Sequence, residues 1–166
     1  MLLRPDIIVD GVFDLTPELL RSRGISLLLA DLDNTLAPYG GKPPSDALLD
    51  WKAKMLDGGV EIFIVSNTNK PRAGLFAEQF GVGYIKHARK PTRGGILEAI
   101  ERCGRTPSET ALVGDQIFTD ILGANRAGTT SVRVRPISLN NPLYRARYWA
   151  EQCILFLING KTYKNR

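Results

Sequence analysis

The chain has 166 residues, 43% hydrophobic and 23% charged, which suits one globular domain and excludes wholesale disorder. Its two cysteines, Cys103 and Cys153, form no CxxC pair, and His87 is the single histidine, so a zinc site is not expected and free thiols in a reducing compartment are. The net charge of +5 is uneven: residues 1–130 hold 15 basic and 16 acidic residues, whereas residues 131–166 hold 7 basic residues and only Glu151 as an acid.

The opening stretch, residues 1–24, is broken by Arg4, Pro5 and Asp6 and lacks the apolar centre of a secretory leader. No stretch approaches ~18 continuous apolar residues, so nothing is expected to span a membrane, and a cytoplasmic setting is the expectation. Ile25–Ala30 is almost wholly apolar and reads as a buried strand. Ser45 and Asp46 cap a helix predicted from Ala47 to about Leu56, stopped by Gly58 and Gly59. A strand over Glu61–Val65 and a helix over Arg72–Phe80, ended by Gly81, come next. Then follow a short strand over Val82–Ile85, a helix over Arg93–Cys103, a strand over Thr110–Val113, a helix over Thr119–Ala127 and a strand over Thr130–Val134. About Pro142–Ile158 forms a final segment.

Strictly alternating strands and helices predict an α/β fold, a doubly wound parallel sheet between two helical layers. A single domain over residues 1–166 is expected, with an extension (1–24), a catalytic core (25–135) and a basic, aromatic helical tail (136–166). Right-handed crossovers then gather the carboxyl ends of the strands on one edge, where such folds bind ligands.

Four signals fall at those strand ends. Asp31 and Asp33 flank Leu32 just past the first strand, and a pair of carboxylates supplies one nucleophile and one acid/base. Ser66 and Asn67 follow the second strand, where a hydroxyl and backbone N–H groups suit a phosphate oxygen. Lys90, ahead of Pro91, can offset charge on a phosphoryl group. Asp115 and Asp120 follow the fourth strand and offer the hard oxygen ligands that Mg²⁺ requires. Each alone has a blander reading: a chance DxD, a helix cap, a lysine before proline, a turn. Together, in order, they gather carboxylates that repel one another unless a cation sits among them.

This set resembles the haloacid dehalogenase superfamily of phosphatases over roughly residues 25–135. Leu27–Leu36 matches its apolar strand and DxDx[T/V] motif, and Ser66, Lys90 and the pair Asp115 and Asp120 match its later motifs. The resemblance implies that Asp31 attacks phosphorus and that Asp33 protonates the leaving group and then activates water. It implies that Mg²⁺ is held by Asp31, by the backbone carbonyl of Asp33 and by Asp115, with Asp120 supporting the metal waters or Lys90. The expected phosphate-binding set is Thr35, Ser66, Asn67 and Lys90, with Thr35 steadying the first-motif loop and Lys90 also positioning Asp31. A carboxylate at position 33 implies hydrolysis rather than dehalogenation. The opening Phe13–Pro17, Leu19–Leu20 and Arg23–Ile25, with Ala88–Pro91, look like the YqeG-type branch of subfamily IIIA, which is similar to phosphatidylglycerophosphate phosphatases.

Neither usual cap position has room: about ten residues separate Thr35 from the helix near Ser45, and one helix and one strand fill the stretch from Thr68 to Lys90. The site is therefore expected to be open, which suits a bulky phosphorylated substrate such as a phospholipid. The tail places Tyr144, Arg145, Arg147, Tyr148 and Trp149 before the apolar run Cys153–Ile158. That pattern matches an interfacial helix on an anionic membrane, or a final helix packed on the sheet with Arg145 and Arg147 at its exposed rim, and the two can coexist. No nucleic-acid partner is expected, since no motif accompanies the basic tail. His87 reads as a loop residue, Trp51 as core, Arg89 and Arg93 as solvated or substrate-facing, and Tyr39–Pro44 as a small flap. The alternatives are a phosphatase of a soluble nucleotide, sugar phosphate or phosphoprotein, and a non-catalytic binding protein on the same fold.

Overall fold

Leu27–Ala30 forms a strand (β2) whose four side chains are all buried, as an uninterrupted apolar run with both faces covered requires. It lies at the centre of the sheet in the computed structural model, which describes residues 2–40 and 42–159. In chain order the elements are β1 (Ile7–Ile8), α1 (Pro17–Arg21), β2, α2 (Asp46–Asp57), β3 (Glu61–Val65), α3 (Arg72–Phe80), β4 (Tyr84–Ile85), α4 (Gly94–Arg102), β5 (Thr110–Gly114), α5 (Leu122–Ala127), β6 (Thr130–Arg133) and α6 (Pro142–Asn159). The six strands are parallel in the order β1-β6-β5-β2-β3-β4, the doubly wound α/β sheet expected.

The alternation of side chains along each strand builds two apolar layers. Leu28, Ala30, Ile62, Ile64 and Val113 face Trp51 and Met55 of α2 and Phe76 and Phe80 of α3. Leu27, Leu29, Phe63, Val65 and Leu112 face Ile96, Ala99 and Ile100 of α4 and Ala124 and Ala127 of α5. Each fully buried leucine contributes about 1.5–3 kcal/mol, so these layers fix the strands and the loops that leave them. Ser45 caps α2 by accepting the Leu48 N–H at 3.3 Å, and Gly81 ends α3 at φ 66°, a turn that a side chain would strain.

Register sets the site. Ala30 lies opposite Ile64 on one side and Val113 on the other, so Asp31, Ser66 and Asp115 all emerge at one edge. The chain leaves β2 toward β3 but leaves β5 toward β6, and a crevice opens where those directions diverge.

Three features depart from the sequence expectation. The opening extension supplies a sixth strand: β1 pairs with β6, and the Asp6 carboxylate accepts the Ser131 N–H at 2.8 Å. Two paired residues are too few to show a periodicity. The helix expected from Thr119 begins instead as a π-helical turn, Ile117–Ile121, before α5. The tail helix α6 joins neither apolar layer among the described residues. It is anchored on the carboxyl edge, where Glu151 pairs with Arg133 at 2.9 Å and accepts the Ile117 N–H at 3.1 Å, all in buried surroundings, beside the buried Leu155. The tail's last basic residues, Lys161, Lys164 and Arg166, lie outside the described residues.

Candidate active site

Beyond β2 the ladder continues for one bond, Asp31 N–H to Val113 C=O at 2.9 Å, and then the chain curls. The Leu36 and Ala37 N–H groups both bond back to the Leu32 carbonyl at 3.1 Å, and Asn34 takes a left-handed φ of 63°. Leu32 is buried as the pin of this turn, with Asp31 and Asp33 on either side of it.

Lys90 organises the centre. Its ammonium donates to Asp31 Oδ1 at 2.7 Å and to the Val65 carbonyl at 2.8 Å, and forms an ion pair with Asp120 Oδ1 at 2.7 Å. The lysine is delivered by a loop with two left-handed residues, His87 (φ 57°) and Arg89 (φ 56°). Such strain persists only where surroundings impose it. Here Ala88 N–H bonds Ser66 C=O at 2.8 Å, and the Asn67 amide clasps the Lys90 backbone, accepting its N–H at 2.7 Å and donating to its carbonyl at 2.8 Å. The Asn67 amide therefore holds the lysine loop. Ser66 Oγ is buried and accepts from Thr68 N–H at 3.2 Å, with its own proton left to donate. Thr35 is buried too, and its Oγ1 has no hydrogen-bond partner among the described residues.

Burial pushes the Asp31 carboxyl up to about 6 despite Lys90, with the Asp120 charge adding to the rise. Asp115 is pushed up to about 8 by burial and then by the charges of Asp120 and Asp31. Burial alone would lower Lys90, but Asp120 and Asp31 more than reverse it, so the ammonium is held charged.

Oxygens of Asp31, Asp115 and Asp120 lie within 4.8 Å of one another, all three residues buried. Asp115 Oδ1 is buried without a hydrogen-bond partner among the described residues. An orphaned carboxylate oxygen among raised carboxyls is the environment a hard divalent cation relieves, and the all-oxygen donor set fits one. Asp120, expected to support the metal waters or Lys90, lies in this trio and pairs with Lys90, and the Asp33 carboxylate is turned toward Arg72.

Two arginines complete the surroundings. Arg72, in the first turn of α3, forms an ion pair with Asp33. Sequence reading passed over it, although a basic residue at a helix start, where acids are favoured, was a usable signal. Arg147 of α6 sits with its Nη2 3.8 Å from Asp115 Oδ2. Beside it Tyr144 stacks on Tyr39 at 4.5 Å and 15°. Asn34 ties down the segment leading to α6 by donating to Ser138 C=O at 2.9 Å and accepting Ser138 N–H at 3.2 Å. The cap positions hold only short connections, as expected, but the open site is corrected: α6 covers one side of it. Arg145 is exposed, and Arg147 is half-buried.

A family profile described as a haloacid dehalogenase-like hydrolase matches residues 42–128, more than half of the chain. The chain belongs to the haloacid dehalogenase-like hydrolases. Within that family it is 35% identical over 134 residues to "Probable phosphatase YqeG" of Bacillus subtilis, covering 81% of this chain and 78% of the relative. It is 31% identical over 148 residues to the mitochondrial phosphatidylglycerophosphatase GEP4 of Saccharomyces cerevisiae, covering 81% and 78%. The cobalt-bound deoxy-D-mannose-octulosonate 8-phosphate phosphatase of Haemophilus influenzae shares the fold, with a TM-score of 0.55 over 86% of this chain and 95% of that one at 12% identity. The protein is thus an enzyme of the phosphatase branch of the haloacid dehalogenase family, as the four strand-end signals anticipated.

Proposed function

We propose that this haloacid dehalogenase family member is a Mg²⁺-dependent phosphomonoesterase that works through an aspartyl-phosphate and converts phosphatidylglycerophosphate to phosphatidylglycerol. The observation that carries the chemistry is Asp31 gripped through Oδ1 by Lys90, next to a buried cluster of carboxylates. A nucleophile oriented by one oxygen presents the other to phosphorus, and that preorganisation is a large part of catalysis. Asp31 attacks the phosphorus, the bond to the leaving oxygen breaks, and Asp33 gives that oxygen its proton. Asp33 then takes a proton from water, whose oxygen attacks the phosphoryl group, releasing inorganic phosphate and restoring Asp31. Arg72 holds the Asp33 carboxylate beside the site between these steps. Ser66 and Lys90 receive the phosphoryl oxygens. Asp31 and Asp115, with the main-chain carbonyl of Asp33, would hold Mg²⁺, which when bound offsets charge on the phosphoryl oxygens.

The phospholipid rests on the relatives and on α6. A curated relative is a phosphatidylglycerophosphatase. The outer face of α6 exposes Leu143 (73%), Trp149 (56%), Phe156 (59%) and Leu157 (81%) beside the exposed Arg145, the make-up of a helix lying on an anionic bilayer. No helix of the described residues is long and apolar enough to cross a membrane, so contact from the cytoplasmic side would be peripheral.

The test is phosphate release, with and without Mg²⁺, from phosphatidylglycerophosphate micelles beside soluble nucleotides, sugar phosphates and a phosphopeptide. The lipid is expected to be turned over best, and Asp31→Asn to lose at least ~1,000-fold in kcat with its circular dichroism unchanged. Preference for a soluble ester overturns the lipid assignment. Equal inactivity of both forms on every ester supports a binding protein on this fold instead.

A further inference from the structure

The cations around the site are not equally committed. Lys90 is engaged by Asp31, Asp120 and the Val65 carbonyl at the centre of the site, and Arg72 is paired with Asp33. Arg147 differs: its 3.8 Å approach to Asp115 is too long for a hydrogen bond, and its side chain is 31% exposed. Its position is nevertheless fixed. Its guanidinium carbon lies 5.4 Å from the centre of the Tyr144 ring, and Tyr144 is stacked on Tyr39. One turn further along the same helix face, Glu151 is locked to Arg133 and to the Ile117 N–H. A guanidinium carries five N–H donors, so one held by a ring and a tyrosine hydroxyl still has donors for two oxygens of one phosphate.

The carboxylate it approaches is one that a divalent cation would claim. With Asp115 so neutralised, Arg147 is left as a positioned charge whose remaining neighbours among the described residues, the Tyr39 hydroxyl and the Tyr144 ring, carry no full negative charge. It stands 3.8 Å from Asp115, whose oxygen lies within 4.8 Å of one on Asp31, so a short spacer links the two points.

From this geometry we infer that Arg147 is a specificity-determining residue, taking a second anionic group of the substrate, a phosphate joined to the scissile phosphomonoester through a short polyol spacer. The inference rests on the phosphatase reading and sharpens its substrate: phosphatidylglycerophosphate carries a phosphodiester at the far end of the glycerol whose phosphomonoester is removed. Selectivity then originates in the headgroup and not only in acyl chains.

The experiment compares kcat/KM of the full chain with Mg²⁺ on three esters: glycerol 3-phosphate (one phosphate), glycerol 1,3-bisphosphate (two phosphates, no lipid) and dihexanoyl phosphatidylglycerophosphate. The native protein is expected to prefer both doubly phosphorylated esters over glycerol 3-phosphate. Arg147→Gln is expected to lower that preference ratio by about 10-fold or more, the worth of a charge-assisted hydrogen bond, and Arg147→Lys to recover part of it. Damage to folding or to the metal site lowers all three rates together and leaves the ratio, so an unchanged ratio in Arg147→Gln overturns the inference. A native preference for the lipid alone, with none for the bisphosphate, also overturns it and places selectivity in the acyl chains. If the native protein hydrolyses glycerol 3-phosphate without any preference, the inference fails while the phosphatase reading stands. If it hydrolyses none of the three, both fail.

Discussion

At the scale of single residues, the tightest constraint on the site is the missing side chain of Gly114. A Cβ there would fall 2.3 Å from Asp120 Cγ and 2.4 Å from Asp120 Oδ2, closer than atoms approach. Asp120 is held from the other side, its Oδ2 accepting the Gln116 N–H at 3.1 Å while Oδ1 meets Lys90, so it cannot yield without breaking one of these. Gly114→Ala is therefore expected to shift Asp120, loosen Lys90 and lower kcat by about 10–100-fold with the melting transition still cooperative. Activity within about 2-fold of native would show that the Lys90–Asp120 pair is dispensable. Asp31, Ser66, Lys90 and Asp115 were legible in the sequence because each follows a strand, and parallel strands deliver their ends to one edge. Arg72 and Arg147 were not legible as partners of Asp33 and Asp115. Their contacts join residues far apart in the chain, and nothing in local spacing encodes which carboxylate a surface arginine will meet. Asn67 was visible as a polar residue near the site, but its partner is a backbone amide, which leaves no trace in residue type.

Among the elements, α6 depends on the buried Arg133–Glu151 pair. Arg133 has no exposed surface, and removing one member of such a pair leaves an uncompensated charge at a cost of about 3 kcal/mol or more, whereas replacing both with apolar groups is nearly neutral. Glu151→Ala is expected to lower the urea midpoint markedly, and the double change Arg133→Leu with Glu151→Leu to restore most of it. A single variant as stable as the native chain would show that Arg133 finds water when α6 lifts. The sheet itself was readable from apolar runs and glycine stops. What escaped was decided by packing rather than by pattern: a two-residue edge strand at Ile7, a π-helical turn at Ile117, and the seat of α6. The stripe Tyr144, Arg147, Glu151 and Leu155 follows one helix face, yet mixed polarity of this kind does not distinguish a roof over a polar crevice from a helix on a bilayer.

For the molecule as a whole, the carboxyls link stability to pH. Asp31 and Asp115 are raised from 3.8 to about 6 and about 8 by burial first of all, and burial raises Glu151 as well. A raised acid binds its proton more tightly folded than unfolded, so in EDTA stability is expected to fall as pH climbs from about 4 to 8. A divalent cation binds the deprotonated form, so Mg²⁺ is expected to raise the melting temperature strongly at pH 8 and little at pH 5. Melting curves that rise from pH 5 to 8 in EDTA, or a Mg²⁺ effect independent of pH, would contradict this account. The placement of α6 has another consequence. The helix is seated by polar contacts with residues at the strand ends, Asn34 to Ser138 and Arg133 to Glu151, and not by the apolar layers. Its position over the crevice can therefore vary with those few residues while the sheet beneath keeps its packing.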